Sequence, residues 1–260
     1  MSAQAGAHRA PAVRRRHGLP AAIPVAIAAA WLLALLADAG GADGSLHHDG
    51  LLHSGMPYPV VLALFALAWQ GMIVAMMLPS SLPMIRLFAQ ASADQPRPGR
   101  VMAAFLGGYA AVWTGFGLAA FSADRGVHGV VEASPWLADR PWLISGGVLL
   151  LAGAFQFSSL KDACLRQCRN PAAFLLPRYR RGAGPAWRLG REHGLYCLGC
   201  CWALMLVMFA AGIASLVWMA ALATLMVFEK AAPAGRRAVP AAGAGLLAAG
   251  VLVLAGGAAS

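Results

Sequence analysis

Charge is scarce in this chain: only 12% of its 260 residues are Asp, Glu, Lys or Arg, about half the share of an ordinary soluble domain. So little polar covering excludes a water-facing surface over much of the exterior. Acidic residues are rarer still, 10 against 20 basic ones, and the net charge is +10. That excess does not point to nucleic acid, because the arginines lie in the gaps between apolar runs, where basic residues report membrane orientation. Absent as well are a Ser-His-Asp set, a Walker-type phosphate loop and any pair of intramembrane carboxylates. No catalytic or organic-cofactor-binding residue is therefore assigned.

What fills the chain instead is hydrophobic: 60% of residues, with a mean hydropathy of +0.66. A bilayer core asks for about 20 consecutive apolar residues. Runs of that kind begin at about 19–37, 58–78, 101–121, 142–157, 200–228 and 241–258. The expected fold class is all-α: a polytopic transmembrane helical bundle of about six spans. Residues 1–18, ending in Arg14, Arg15, Arg16 and His17, read as a disordered basic tail. Residues 19–258 read as one transmembrane domain. A cleaved signal peptide ending near Ala37-Asp38-Ala39 is the rival for the first run, whose length favours a retained helix.

The positive-inside rule orients the spans. Segment 38–57 has Asp38, Asp43 and Asp49 and no Lys or Arg, so it lies outside. Segment 79–100, with Arg86, Arg97 and Arg100, lies inside, 122–140 outside, and the basic stretch 158–196 inside. The N-terminus is cytoplasmic and the expected location is a bacterial inner membrane, crossed several times. The run 200–228 is awkward, since about 43 Å of helix exceeds the ~30 Å core. One tilted helix is the expectation; the alternative is a pair broken near Gly212-Ile213-Ala214-Ser215, which would return Lys230, Arg236 and Arg237 to the inside.

All five cysteines fall between Cys164 and Cys201, in or beside the basic stretch. On the cytoplasmic side thiols stay reduced, so a metal or redox site is expected rather than a disulfide framework. Cys197, Cys200 and Cys201 form a C-x-x-C-C at the start of a span, a spacing at which two thiolates reach one ion. Cys164 and Cys168, at i and i+4, share a face if their segment is helical, and Lys161 shares part of it. His193 precedes the motif as a mixed N/S ligand. Trp69, Met72 and Met76 follow a helical stripe with Met77 beside it, and Cys201, Met205 and Met208 repeat the pattern. Methionine at such spacing is also ordinary core filler. Thioether with thiolate is nonetheless a soft set, which selects copper as Cu(I), with zinc second. His47, His48, Asp49 and His53 form a small cluster outside. Glu229 and Lys230 end the long apolar run and are expected to pair or to snorkel.

Four stretches carry a resemblance to a family of bacterial integral membrane proteins of unknown function, described as predicted metal-binding. They are WQGMIVAMMLPSSLPM (69–84), GYAAVWTGF (108–116), FQFSSLKDACLRQCRNP (155–171) and HGLYCLGCCWALM (193–205), the last continuing through WMAALATLMVFEK (218–230). The likeness covers about residues 55–257. It implies a multi-helix membrane protein with a metal site at Cys164, Cys168, Cys197, Cys200 and Cys201, joined by Met72, Met76 and Met77. The chain departs from the family at Phe155-Gln156, at Ser159-Leu160-Lys161 and at Ile213-Ala214, where the family often has a methionine.

The function expected is a membrane-embedded binder of a soft transition metal, copper ahead of zinc, acting as a transporter or metal-handling factor. Its partners are the lipid bilayer and the metal ion, with a protein partner or a second copy left open. A membrane thiol oxidoreductase cycling Cys197 and Cys200, and a scaffold with structural cysteines, are the rival readings.

Overall fold

A computed structural model describes residues 19–40, 55–211 and 215–259. Ten helices and no strand are found among the described residues: α1 (Ala22–Ala39), α2 (Tyr58–Ser92), α3 (Pro98–Glu132), α4 (Pro135–Ala138), α5 (Pro141–Gln156), α6 (Ser159–Arg169), α7 (Pro171–Arg178), α8 (Ala183–Ala211), α9 (Leu216–Ala231) and α10 (Gly235–Ala259). The all-α bundle is as the apolar runs require. Five helices, α1, α2, α3, α8 and α10, are long and apolar enough to cross a membrane, and α5 with α6 is a sixth candidate bent by 64°. The tail 1–18 and the cluster His47, His48, Asp49 and His53 lie outside the described residues.

Helices α2 and α3 run to 35 residues each, roughly 52 Å at 1.5 Å per residue, so both project past a bilayer core. They are antiparallel: Trp69 Nε1 donates to the Trp113 carbonyl (2.8 Å), Gln70 to Thr114 (2.6 Å), and Phe88 stacks on Phe105. Pro79 and Pro83 do not end α2 but sit inside it. A helical proline leaves the carbonyl four residues earlier without its N–H. For Pro79 that carbonyl belongs to Ala75, and the Trp31 indole of α1 supplies the missing donor at 3.1 Å.

Helix α8 lies parallel to α3 at backbone contact. A Cβ on Gly190 would stand 1.9 Å from the Phe105 carbonyl oxygen, and one on Gly108 would stand 2.2 Å from that of Trp187. Only glycine permits this approach, and it brings Tyr109 of α3 against the middle of α8. Across the bundle, α5 and α10 meet along a seam of Gly146, Gly153, Gly243 and Gly250, the small-residue packing that apolar solvent favours.

The long run 200–228 is not one helix. Ser215 is extended (ψ 104°) and begins α9 as a separate helix. Helix α9 runs back toward the end of the bundle where α8 begins: Lys230 reaches Cys197 at 3.1 Å. The expectation of one tilted helix is thereby corrected, and the reason is the charge pattern. A return brings Lys230, Arg236 and Arg237 to the end that also gathers Arg97, Arg166, Arg169, Arg178 and Arg181. There Arg181 donates to the Asp94 carbonyl (3.0 Å) and Tyr179 to that of Ala91 (2.7 Å), tying the α2–α3 turn to the stretch after α7. The far end carries Arg125 and Arg140 among Asp124, Glu132 and Asp139.

Candidate metal centre

Five thiols from two helices collect at the basic end, all buried. Helix α6 starts where Ser158 accepts from the Lys161 N–H (3.1 Å), a side-chain N-cap. Its buried face is Lys161, Cys164, Leu165 and Cys168, which is the i, i+3, i+4, i+7 stripe of a helix lying on a core. Helix α8 presents Cys200 to it, while Cys197 and Cys201 turn toward Tyr109, Met77 and Lys230. Gly199 makes room between the two helices, since a Cβ there would stand 2.5 Å from the Cys164 sulfur.

One pair joins the two helices: Cys168 Sγ and Cys200 Sγ are 4.0 Å apart. Cys201 Sγ is 3.9 Å from Met77 Sδ on α2. Cys200 and Cys201 both donate to the Cys197 carbonyl, at 3.1 and 2.8 Å. Among the described residues no three His, Cys, Asp or Glu side chains converge as a ready metal cage.

Cys197 is held differently. Its sulfur lies 3.1 Å from Lys230 Nζ and 3.1 Å from the Tyr109 hydroxyl. Ser81 donates to Tyr109 (3.3 Å), and Lys230 also donates to Ser80 (3.1 Å). Lys161 and Glu229 form a second buried polar pair at 2.7 Å, with side chains 1% and 2% exposed. Glu229 and Lys230 thus do not pair with each other. Adjacent helical residues point about 100° apart, so one meets α6 and the other α8.

The remaining residues singled out from the sequence are distributed as follows. Met76, Met77 and Met205 are fully buried and Met72 nearly so, in the core that continues from the thiols toward the bundle centre. His193 lies one turn before Cys197. Its ring packs among Phe105, Tyr109 and Phe174, and its Nε2 is buried with no hydrogen-bond partner among the described residues.

Sequence reasoning passed over Ser80, Ser81 and Tyr109, and did not give Lys161, Glu229 and Lys230 their partners. A signal was present. Of the 20 basic residues all but two are arginine, and the two lysines are the ones buried beside the cysteines. An ammonium carries its charge at one point with three donors, whereas a guanidinium spreads it over a planar fork.

The donor chemistry fits a soft ion. With metal–thiolate bonds of about 2.3 Å, two sulfurs stand roughly 3.8 Å apart across a tetrahedral ion and roughly 4.6 Å across a linear one. The 4.0 Å between Cys168 and Cys200 falls inside that interval.

A family model described as PpoB2, copper chaperone, matches residues 66–253, from within α2 through most of α10 and over every cysteine. No curated protein and no solved structure matches the chain.

Proposed function

We propose that this chain, which belongs to the PpoB2 copper chaperone family, is a membrane-embedded copper handler that takes up its cargo at the buried thiols of the basic end. Cys168 and Cys200 form the primary pair, with Cys164, Cys197 and Cys201 as exchange partners around it. Thiolates keep copper as Cu(I), and a ligand set that can trade one sulfur for the next lets the ion move without being released. Met77, 3.9 Å from Cys201, is the first thioether of a path that Met76, Met72 and Met205 extend into the bundle. His193, with an unpartnered buried nitrogen one turn from Cys197, is a further donor for the ion in transit.

The observation that carries this reading is the meeting of Cys168 and Cys200, 32 residues apart in sequence, at 4.0 Å in a dry interior. Five helices able to cross a membrane support the setting, and the gathering of basic residues at the thiol end supports a cytoplasmic mouth.

The test is metal analysis of the full chain purified in detergent under reducing conditions. Wild type is expected to hold close to one copper per chain, and Cys168→Ser with Cys200→Ser to hold almost none. Unchanged copper in that double variant overturns the assignment. A thiol-disulfide enzyme would instead trap a mixed disulfide with a partner once Cys197 or Cys200 alone is replaced.

A further inference from the structure

The thiols alone do not choose between metals, because thiolate sulfur takes both Cu(I) and Zn(II). The charges around them do. Inside the bundle near the thiols lie Lys161, Lys230 and Glu229, at 0%, 6% and 2% exposure. Glu229 is committed to Lys161 at 2.7 Å, so those two cancel. Arg169 and Asp162 lie at the margin: Arg169 donates to the carbonyls of Glu229 and Ala232, while Asp162 meets Arg166 and Arg236. Among the described residues one enclosed positive charge is left, on Lys230, and its Nζ is set on Ser80 Oγ and Cys197 Sγ at 3.1 Å each and on Cys201 Sγ at 3.8 Å. An ammonium held in a dry interior needs an anion beside it.

We infer that Lys230 is the counter-ion of the loaded site and makes it selective for a monovalent soft cation, rejecting divalent ions. Cu(I) between two thiolates carries one negative charge, the thiol protons having left to water. With Lys230 the sum is zero. Zn(II) on the same pair is neutral, so the Lys230 charge stays unanswered. A third thiolate would repair the balance, but no three such donors converge among the described residues. Charge and coordination number thus favour the same ion. Lys230 touches no metal in this scheme; it is a positioning residue whose charge acts on the thiols of Cys197, Cys200, Cys201 and Cys168 together.

This inference rests on the thiols being the copper site, and the experiment separates the two claims. Full-length protein in detergent is titrated with Cu(I), Ag(I) and Zn(II) against chromophoric chelators, under reducing conditions. Wild type is expected to bind Cu(I) and Ag(I) in preference to Zn(II). In Lys230→Met the preference for Cu(I) over Zn(II) is expected to fall by about tenfold or more, since unit charges even about 10 Å apart reach that effect at an intermediate dielectric. Lys230→Arg, which keeps the charge, is expected to keep most of the preference. A preference unchanged within about twofold in a folded Lys230→Met protein, by the same Coulomb measure, overturns the role of Lys230 while leaving copper binding intact. A wild type whose copper does not depend on its cysteines overturns both. Should Lys230→Met fail to fold, Ser80→Ala, which frees the ammonium from one anchor, is expected to weaken the preference measurably; no change there refutes the inference.

Discussion

The Lys161–Glu229 pair is the most exposed part of the reasoning to a stability measurement. Glu229 Oε2 and Lys161 Nζ are 2.7 Å apart, and both side chains are almost completely enclosed. Replacing one partner strands the other charge, which costs about 3–5 kcal/mol, whereas replacing both with apolar side chains of like size is often neutral. At about 2–4 °C per kcal/mol for a chain of this size, Glu229→Gln should lower the unfolding midpoint by roughly 6–20 °C. Lys161→Met should do the same, and Lys161→Met with Glu229→Met should recover most of the loss. A thiol-reactive dye in a thermal ramp is a suitable probe, because all five cysteines are buried until the bundle opens. The double variant unfolding at or below the lower single variant would refute the pairing, since independent sites simply add.

Three further outcomes are expected. Gly199→Ala drives a methyl into the Cys164 sulfur, which would stand 2.5 Å away; the variant should lose about 1–3 kcal/mol and part of its copper, while Gly115→Ala and Gly147→Ala, with open space around them, should be neutral or slightly stabilised. Trp31→Phe removes the donor to the Ala75 carbonyl and should destabilise by about 1–3 kcal/mol, visible as a lower midpoint with copper stoichiometry unchanged. In a cysteine-free background, Arg97→Cys, Arg181→Cys and Arg236→Cys should label from one side of a vesicle and Asp139→Cys from the other; Arg236→Cys labelling with Asp139→Cys would disprove the return of α9.

How far the sequence reaches can be judged from single residues. Apolar run length is enough to find the helices, because lipid leaves a backbone few alternatives. It does not find where α8 stops: Ile213 and Ala214 continue the hydrophobic composition, and the signal that mattered was the charge of Lys230, Arg236 and Arg237. The helical spacing of Lys161, Cys164 and Cys168 is enough to put them on one face, and α6 does bury them together. Spacing is silent on which thiol on another helix they meet. That depends on Gly199 and on the glycine contacts of α3 with α8, which are tertiary facts. Glu229 and Lys230 were visible as costly intramembrane charges, but their partners lie 68 and 33 residues away.

Arg169 ties these facts into a mechanical one. It is next to Cys168, and it fastens the Glu229 carbonyl of α9, the helix that carries Lys230, and the Ala232 and Pro233 carbonyls just beyond it. Lys161 fastens the first turn of the same helix to Glu229, so α6 is tied to α9 near both of its ends. A movement of α6 that parts Cys168 from Cys200 would therefore also strain the helix that carries Lys230.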